Sequence, residues 1–233
     1  MKNALTAFAL GSVLVWASPA LWADGENISK INGSIRVDSN RQVGSVETVN
    51  GSIRLADSVT ARDLETVSGS IEIGRDSSVG SVDTVNGNVT LDDGAKAESV
   101  ELVNGRLRLK ERAHVRNDVT SVNGSITLDK GAEVGGHVAN VNGDITLDHA
   151  RVGNGIKTTN SDIDIGAGSR VDGGILVEKP NSGFFSHNKR KPRITIGPDA
   201  TVNGTLKFER EVELRISAAA KVGKIVGATP IKD

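Results

Sequence analysis

Apolar residues recur along this chain with a step of six. From Ile31 the step lands on Val37, Val43, Val49, Leu55, Ala61, Val67, Ile73, Val79, Val85, Leu91, Ala97, Val103, Leu109 and Val115, and every position is apolar. At ordinary apolar content such a run arises by chance about once in a million. A second series sits four residues later, at Ile35, Ile53, Val59, Ile71, Val89, Ala95, Leu107 and Ala113. On the remaining face it shifts by one, to Val46, Leu64, Val82 and Val100. Polar residues such as Glu47, Arg54, Glu65, Glu72, Asp83 and Thr90 fall between them. With one-residue adjustments the beat continues through Val122, Leu128, Val134, Val141, Leu147, Val152, Ile165, Val171 and Val177. It resumes after an interruption at Ile196, Val202, Phe208 and Leu214.

Inside this beat lies a longer period. The motif I-N-G-S at 31–34 returns as V-N-G-S at 49–52 and 122–125, with near-copies at 67–70, 85–88, 103–106 and 141–144 and a degenerate T-N-S-D at 159–162. The spacings are 18 or 19 residues throughout. Fixed spacing marks a repeat architecture. Helices repeat at neither six nor eighteen, whereas three faces of about six residues close one coil of a triangular β-helix, stacked at about 4.8 Å. The pattern therefore predicts an all-β, single-stranded β-solenoid of about ten coils, roughly 45 Å long. Handedness is not written in the pattern; crossover sterics favour a right-handed path. In each motif Val should point inward, Asn-Gly should bend the chain and Ile should return to the core. The competing reading is a series of hairpins on Asn-Gly turns, with Glu47 opposite Arg54. That reading leaves the L-A-D-S-V-T-A-R-D-L stretch unexplained and sets Glu65 opposite Glu72, a like-charge pair.

The ends and the composition add limits. Residues 1–23 carry one early Lys, an apolar run too short to span a bilayer comfortably and small residues at Ala20 and Ala23. This is the layout of a secretory signal cleaved after one of those alanines, with an uncleaved anchor as the alternative. It leaves residues 24–233 as one exported solenoid domain without a transmembrane span, in the periplasm or at the cell surface. Its removal takes one Lys and no acid, so the remaining chain keeps two acids in excess. That balance argues against nucleic-acid binding, which needs a basic surface. There is no Cys, so no disulfide helps stability. Four Phe, two Trp and no Tyr leave little for an aromatic ligand pocket.

Candidate chemistry is sparse. Asn32, Asn50, Asn86, Asn104, Asn123, Asn142 and Asn160 form one corner column, interrupted by Ser68. Asn suits a left-handed corner and can pass amide hydrogen bonds between coils. A linear array for a glycan or ice is the functional alternative. Glu47, Glu65, Asp83 and Glu101 form an acidic column whose repulsion a cation, or neighbouring Arg54 and Arg108, would relieve. The calcium-binding G-G-x-G-x-D repeat is absent. His114, His137, His149 and His187 fall at unequal phases of the repeat, so no catalytic or metal trio is expected. No catalytic residue, metal site or cofactor is assigned. The segment at about 178–193 breaks the period with Phe184, Phe185, Lys189, Arg190, Lys191 and Arg193. In a repeat protein such an insertion is an outer loop, here a candidate surface for an anionic envelope or protein partner. The alternative is that the two Phe cover the side or end of the rod.

The stretch K-P-R-I-T-I-G-P-D-A-T-V-N-G-T-L at 191–206 resembles the I-x-I-G-x-x-A-x-V-x-G phrase of bactofilins, polymer-forming bacterial cytoskeletal proteins. The V-N-G-S-I repeats are similar to those of bacterial putative-adhesin domains. The bactofilin resemblance implies a triangular β-helix that polymerises end to end without nucleotide. The export signal departs from the cytoplasmic setting of that family. The combined expectation is a non-enzymatic envelope protein that self-assembles or binds a surface. An adhesin-like module for a glycan or envelope ligand is the alternative, and a hexapeptide-repeat enzyme the remote one.

Overall fold

The computed structural model describes residues 25–180 and 190–232. The described chain is all-β and winds into a solenoid. One sheet of eleven strands runs the length of the rod, and a second, of seventeen, supplies the other sides. All strand pairings are parallel, which excludes the hairpins. The sequence series stops near Leu214, whereas the structure adds a further rung at Lys221–Val222, Ile225–Val226 and Ile231–Lys232. The eleven rungs give a rod of about 50 Å.

The first complete coil shows how the sequence is used. Strand β1 (Glu26–Asn32) leads through a Gly33 corner to β2 (Ile35–Val37), and a turn at Asn40 leads to β3 (Gln42–Asn50). Ile35 and Val37 both point inward because strand side chains alternate, and Arg36 between them points out. Their columns continue in register, Ile35 on Ile53 and Val37 on Leu55, then onward to Ile73, Leu91, Leu109 and Leu128. These side chains are almost wholly buried. Each contributes about 1.5–3 kcal/mol of apolar burial. Strand β3 bends between Val43 and Val46 and so forms two sides of the triangle. In later coils the two sides become separate strands, such as His114–Val115 and Val119–Asn123.

The two tight corners have different causes. At the Asn-Gly corner, glycine is required by close approach. A Cβ on Gly51, Gly69, Gly87 or Gly105 would fall within about 2.3 Å of the carbonyl oxygen of the glycine one coil before. None of the ladder asparagines has a positive φ, contrary to the expectation that Asn would take the left-handed conformation. At this corner positive φ falls on the glycines Gly33, Gly69, Gly105 and Gly143, whereas residues with a side chain take it at the opposite corner. There Asn40, Ser58, Asp76, Arg112, His149 and Asp199 have φ near +50° to +60°, and Gly94, Gly131 and Gly168 fill the intervening coils.

One expectation is reversed. The Val of the motif points outward: Val49, Val67, Val122 and Val141 are exposed, and Ile31 is 73% exposed. Val46 is fully buried, and an extended strand cannot turn residues three apart to the same face. The inward place between them belongs to Thr48, and in later coils to Thr66, Thr84, Leu102, Ser121, Asn140 and Thr158. Several of these polar groups have a use, though the Ser121 hydroxyl makes no hydrogen bond among the described residues. Thr48 donates to the Gly33 carbonyl at 3.3 Å, Thr66 to Gly51 at 3.1 Å, and the Asn140 amide to Gly124 at 2.8 Å. A corner carbonyl that would otherwise face the interior unpaired is thereby satisfied.

Candidate interaction surfaces

The Asn column is a hydrogen-bonded ladder. Asn50 Nδ2 donates to Asn32 Oδ1 at 3.2 Å, and Asn104 to Asn86, Asn123 to Asn104, Asn142 to Asn123 and Asn160 to Asn142 at 2.9–3.0 Å. Arg210 closes the upper end on Asn160 Oδ1 and the Thr159 carbonyl. Ser68 is too short to continue the chain of amides, so the ladder breaks between Asn50 and Asn86. Because one amide hydrogen and one carbonyl oxygen of each internal member are used between coils, the corner is tied mainly to itself.

The acidic column stands beside it on the outer face of the same strands. Register places Glu47 on Glu65, Glu65 on Asp83 and Asp83 on Glu101. Among the described residues these four make no ion pair, although sixteen ion pairs of Lys or Arg form elsewhere on the rod. The neighbours expected to neutralise them are committed elsewhere. Arg54 binds Glu72 at 2.6 Å and Arg108 binds Asp129 at 2.8 Å, both on the other sheet. Burial is the main reason that the Asp83 carboxyl is pushed up to about 6, opposed by a hydrogen bond from Ser81 and reinforced by Glu101, Glu65 and Asp63.

Between this column and the Asn corner runs the outward Val column: Val49, Val67, Val85, Val103, Val122 and Val141. Together the two columns make a shallow groove lined by Glu65, Asp83, Glu101, Val85, Val103 and Val122. The Val column was missed at the level of sequence, yet its signal is there. Val46 and Val49 lie three apart on the straight part of β3, beyond the bend that lets Val43 and Val46 both face inward, so only one of them can face the core.

Strand pairing stops at Val177 and resumes at Arg193. Phe184, Phe185, Lys189 and His187 lie outside the described residues, as does the N-terminal signal-like segment. The described basic residues are held against the rod. Arg190 pairs with Asp162, Lys191 with Glu211 at 2.8 Å, and Arg193 with Glu213 at 3.9 Å, while the Arg193 backbone N–H donates to Asp162. The Lys191 ammonium is stabilised in its charged form by Glu211, which it in turn holds below the usual carboxylate range.

The described histidines do not converge. His114 lies 3.7 Å from Glu133, His137 3.5 Å from Asp118, and His149 2.6 Å from Asp148, each with a different carboxylate. Among the described residues no group of three or more His, Cys, Asp or Glu is placed to hold a metal ion, and no helix is long and apolar enough to cross a membrane. No family model, curated protein or solved structure matches the chain.

Proposed function

We propose that the protein is a non-enzymatic structural rod of the bacterial cell envelope, exported by its N-terminal segment, that assembles end to end. The observation that carries this reading is the state of the rod ends. Among the described residues, β1 pairs only with β3, and Lys221–Val222, Ile225–Val226 and Ile231–Lys232 pair only toward the rod interior. Each end therefore offers a row of backbone donors and acceptors, a ready template for another chain. Ile31 at one end and Ile231 at the other, 53% exposed, add apolar surface there.

The reading is tested on the purified chain lacking residues 1–23 by light scattering over a concentration series, with electron microscopy of the same samples. Mass should rise with concentration, with linear particles longer than one rod. A monomer at every concentration overturns it.

A further inference from the structure

The acidic column runs on in register beyond Glu101, and the charge carried by that one column changes sign along the rod. In register the outer column continues from Glu101 to Thr120, Ala139, Lys157, Leu176 and Lys207. The lower half thus carries four unpaired carboxylates, the middle is uncharged, and the upper half carries Lys157 and Lys207, each paired with an acid of the neighbouring column, Glu178 and Glu209. The parallel Val column is densest through the lower and middle coils.

Two properties of this face select its occupant. The first is pitch: one Val and one column residue are offered per coil, every 4.8 Å or so. An α-helix advances by about 5.4 Å per turn and an extended strand by about 3.3 Å per residue, so neither keeps step over many coils. Another rod of the same coil height does. The second property is charge. Turning one copy end for end about an axis through Thr120 and Val122 brings Asp83 opposite the partner copy's upper half at the level of Lys157. It brings Glu47 to the level of Lys207. Val103 then meets the level of Val141, and Val122 meets itself. This self-complementarity is what a two-fold interface requires.

We propose that this face is a lateral interface between two antiparallel copies of the chain, related by a two-fold axis at Thr120 and Val122. The contact uses neither rod end, so it stands or falls independently of end-to-end assembly. It brings Lys157 and Lys207 to two of the four carboxylates, Asp83 and Glu47, and covers the middle of the Val column from Val103 to Val141. Lys157 and Lys207 turn from Glu178 and Glu209, their present partners at 2.9 and 2.6 Å, to share their charge across the interface.

The absence of cysteine makes a clean test possible. Val122→Cys and Val67→Cys are made separately in the chain lacking residues 1–23 and oxidised under identical conditions. Val122→Cys should form a disulfide-linked dimer in high yield, and Val67→Cys, far from the two-fold axis, at least tenfold less. Equal linking of both indicates parallel rods and overturns the proposal. Larger assemblies without a Val122→Cys link also overturn it, while leaving end-to-end assembly standing. Both positions lie outside the core, so circular dichroism and thermal unfolding should match the parent; Thr120→Cys, on the adjoining column, replaces Val122→Cys if that variant fails to fold. A charge swap tests the register. Asp83→Lys should weaken association at least tenfold at low salt, and adding Lys157→Glu should restore it. Failure of the double variant to recover overturns the antiparallel register.

Discussion

At the scale of single residues, the rod is governed by which way each side chain of a six-residue face can point. Thr66 is buried at 1% exposure although it is polar, because its hydroxyl answers the Gly51 carbonyl, whereas Val67 beside it is left outside. Leu102 takes the same inward place in one coil without a hydroxyl, so the site tolerates both apolar volume and a donor. Asp83 is the residue whose state depends most on its surroundings. Its folded-state pKa of about 6 lies above the ordinary 3.8, chiefly through burial. The folded chain therefore binds this proton more tightly than the unfolded one, and the benefit is lost as pH rises from about 4 through about 6. Asp83→Asn removes the penalty paid above that window. It should raise stability at pH 7.5 by roughly 1 kcal/mol, after allowance for solvent screening, and bring no gain at pH 4. Thermal unfolding of both proteins at the two pH values checks this, and an equal gain at both would refute it.

Elements in this protein are columns more than strands. A single three-residue strand such as Ile53–Leu55 has too few contacts to persist alone, and its stability comes from the strands one coil before and after. The Asn ladder is the column whose continuity can be altered by one atom group. At Ser68 the ladder is broken, and Asn50 and Asn86 lose the partner they would share. Ser68→Asn should restore two amide hydrogen bonds and stabilise the rod by about 0.5–1.5 kcal/mol. Denaturant unfolding measures the effect, and a loss of stability would show that the corner has no room for the amide. The ladder itself was readable in the sequence as a column of Asn at constant spacing. Its conformation was not, because the spacing gives the corner's position but not which of its residues carries the unusual backbone.

For the whole molecule, near-equivalence of the coils has a consequence that a globular core would not allow. Residues 69–86 make one coil, Ser68 stacks on Asn86, and the backbone N–H of Gly69 reaches the Asn86 carbonyl. Deleting 69–86 joins Ser68 to Gly87 in the same phase. The product should fold, with the same β circular dichroism, as a rod shorter by one rung of about 4.8 Å. Deleting 69–77 instead puts outward residues inward and should leave the following coils unfolded or aggregated. If both deletions behave alike, stability is not being passed from coil to coil.

The period of six within eighteen, taken alone, determined the solenoid, the inward columns through Ile35, Val37 and Val46, the Asn ladder's position and the place of the insertion. It did so because each coil repeats the same local environment, so that a residue's role depends on its phase. Three things were decided only in three dimensions. The turn of β3 placed Val49 outside and Thr48 inside, since strand alternation overrides the apolar count. Lateral pairing sent Arg54 and Arg108 to Glu72 and Asp129, leaving the acidic column without cations. The stacking of coils brought Glu101, Thr120 and Lys157, far apart in the chain, into one column whose charge reverses along the rod. Charge partners and surface columns depend on neighbours one coil away, and a linear pattern records only the neighbours along the chain.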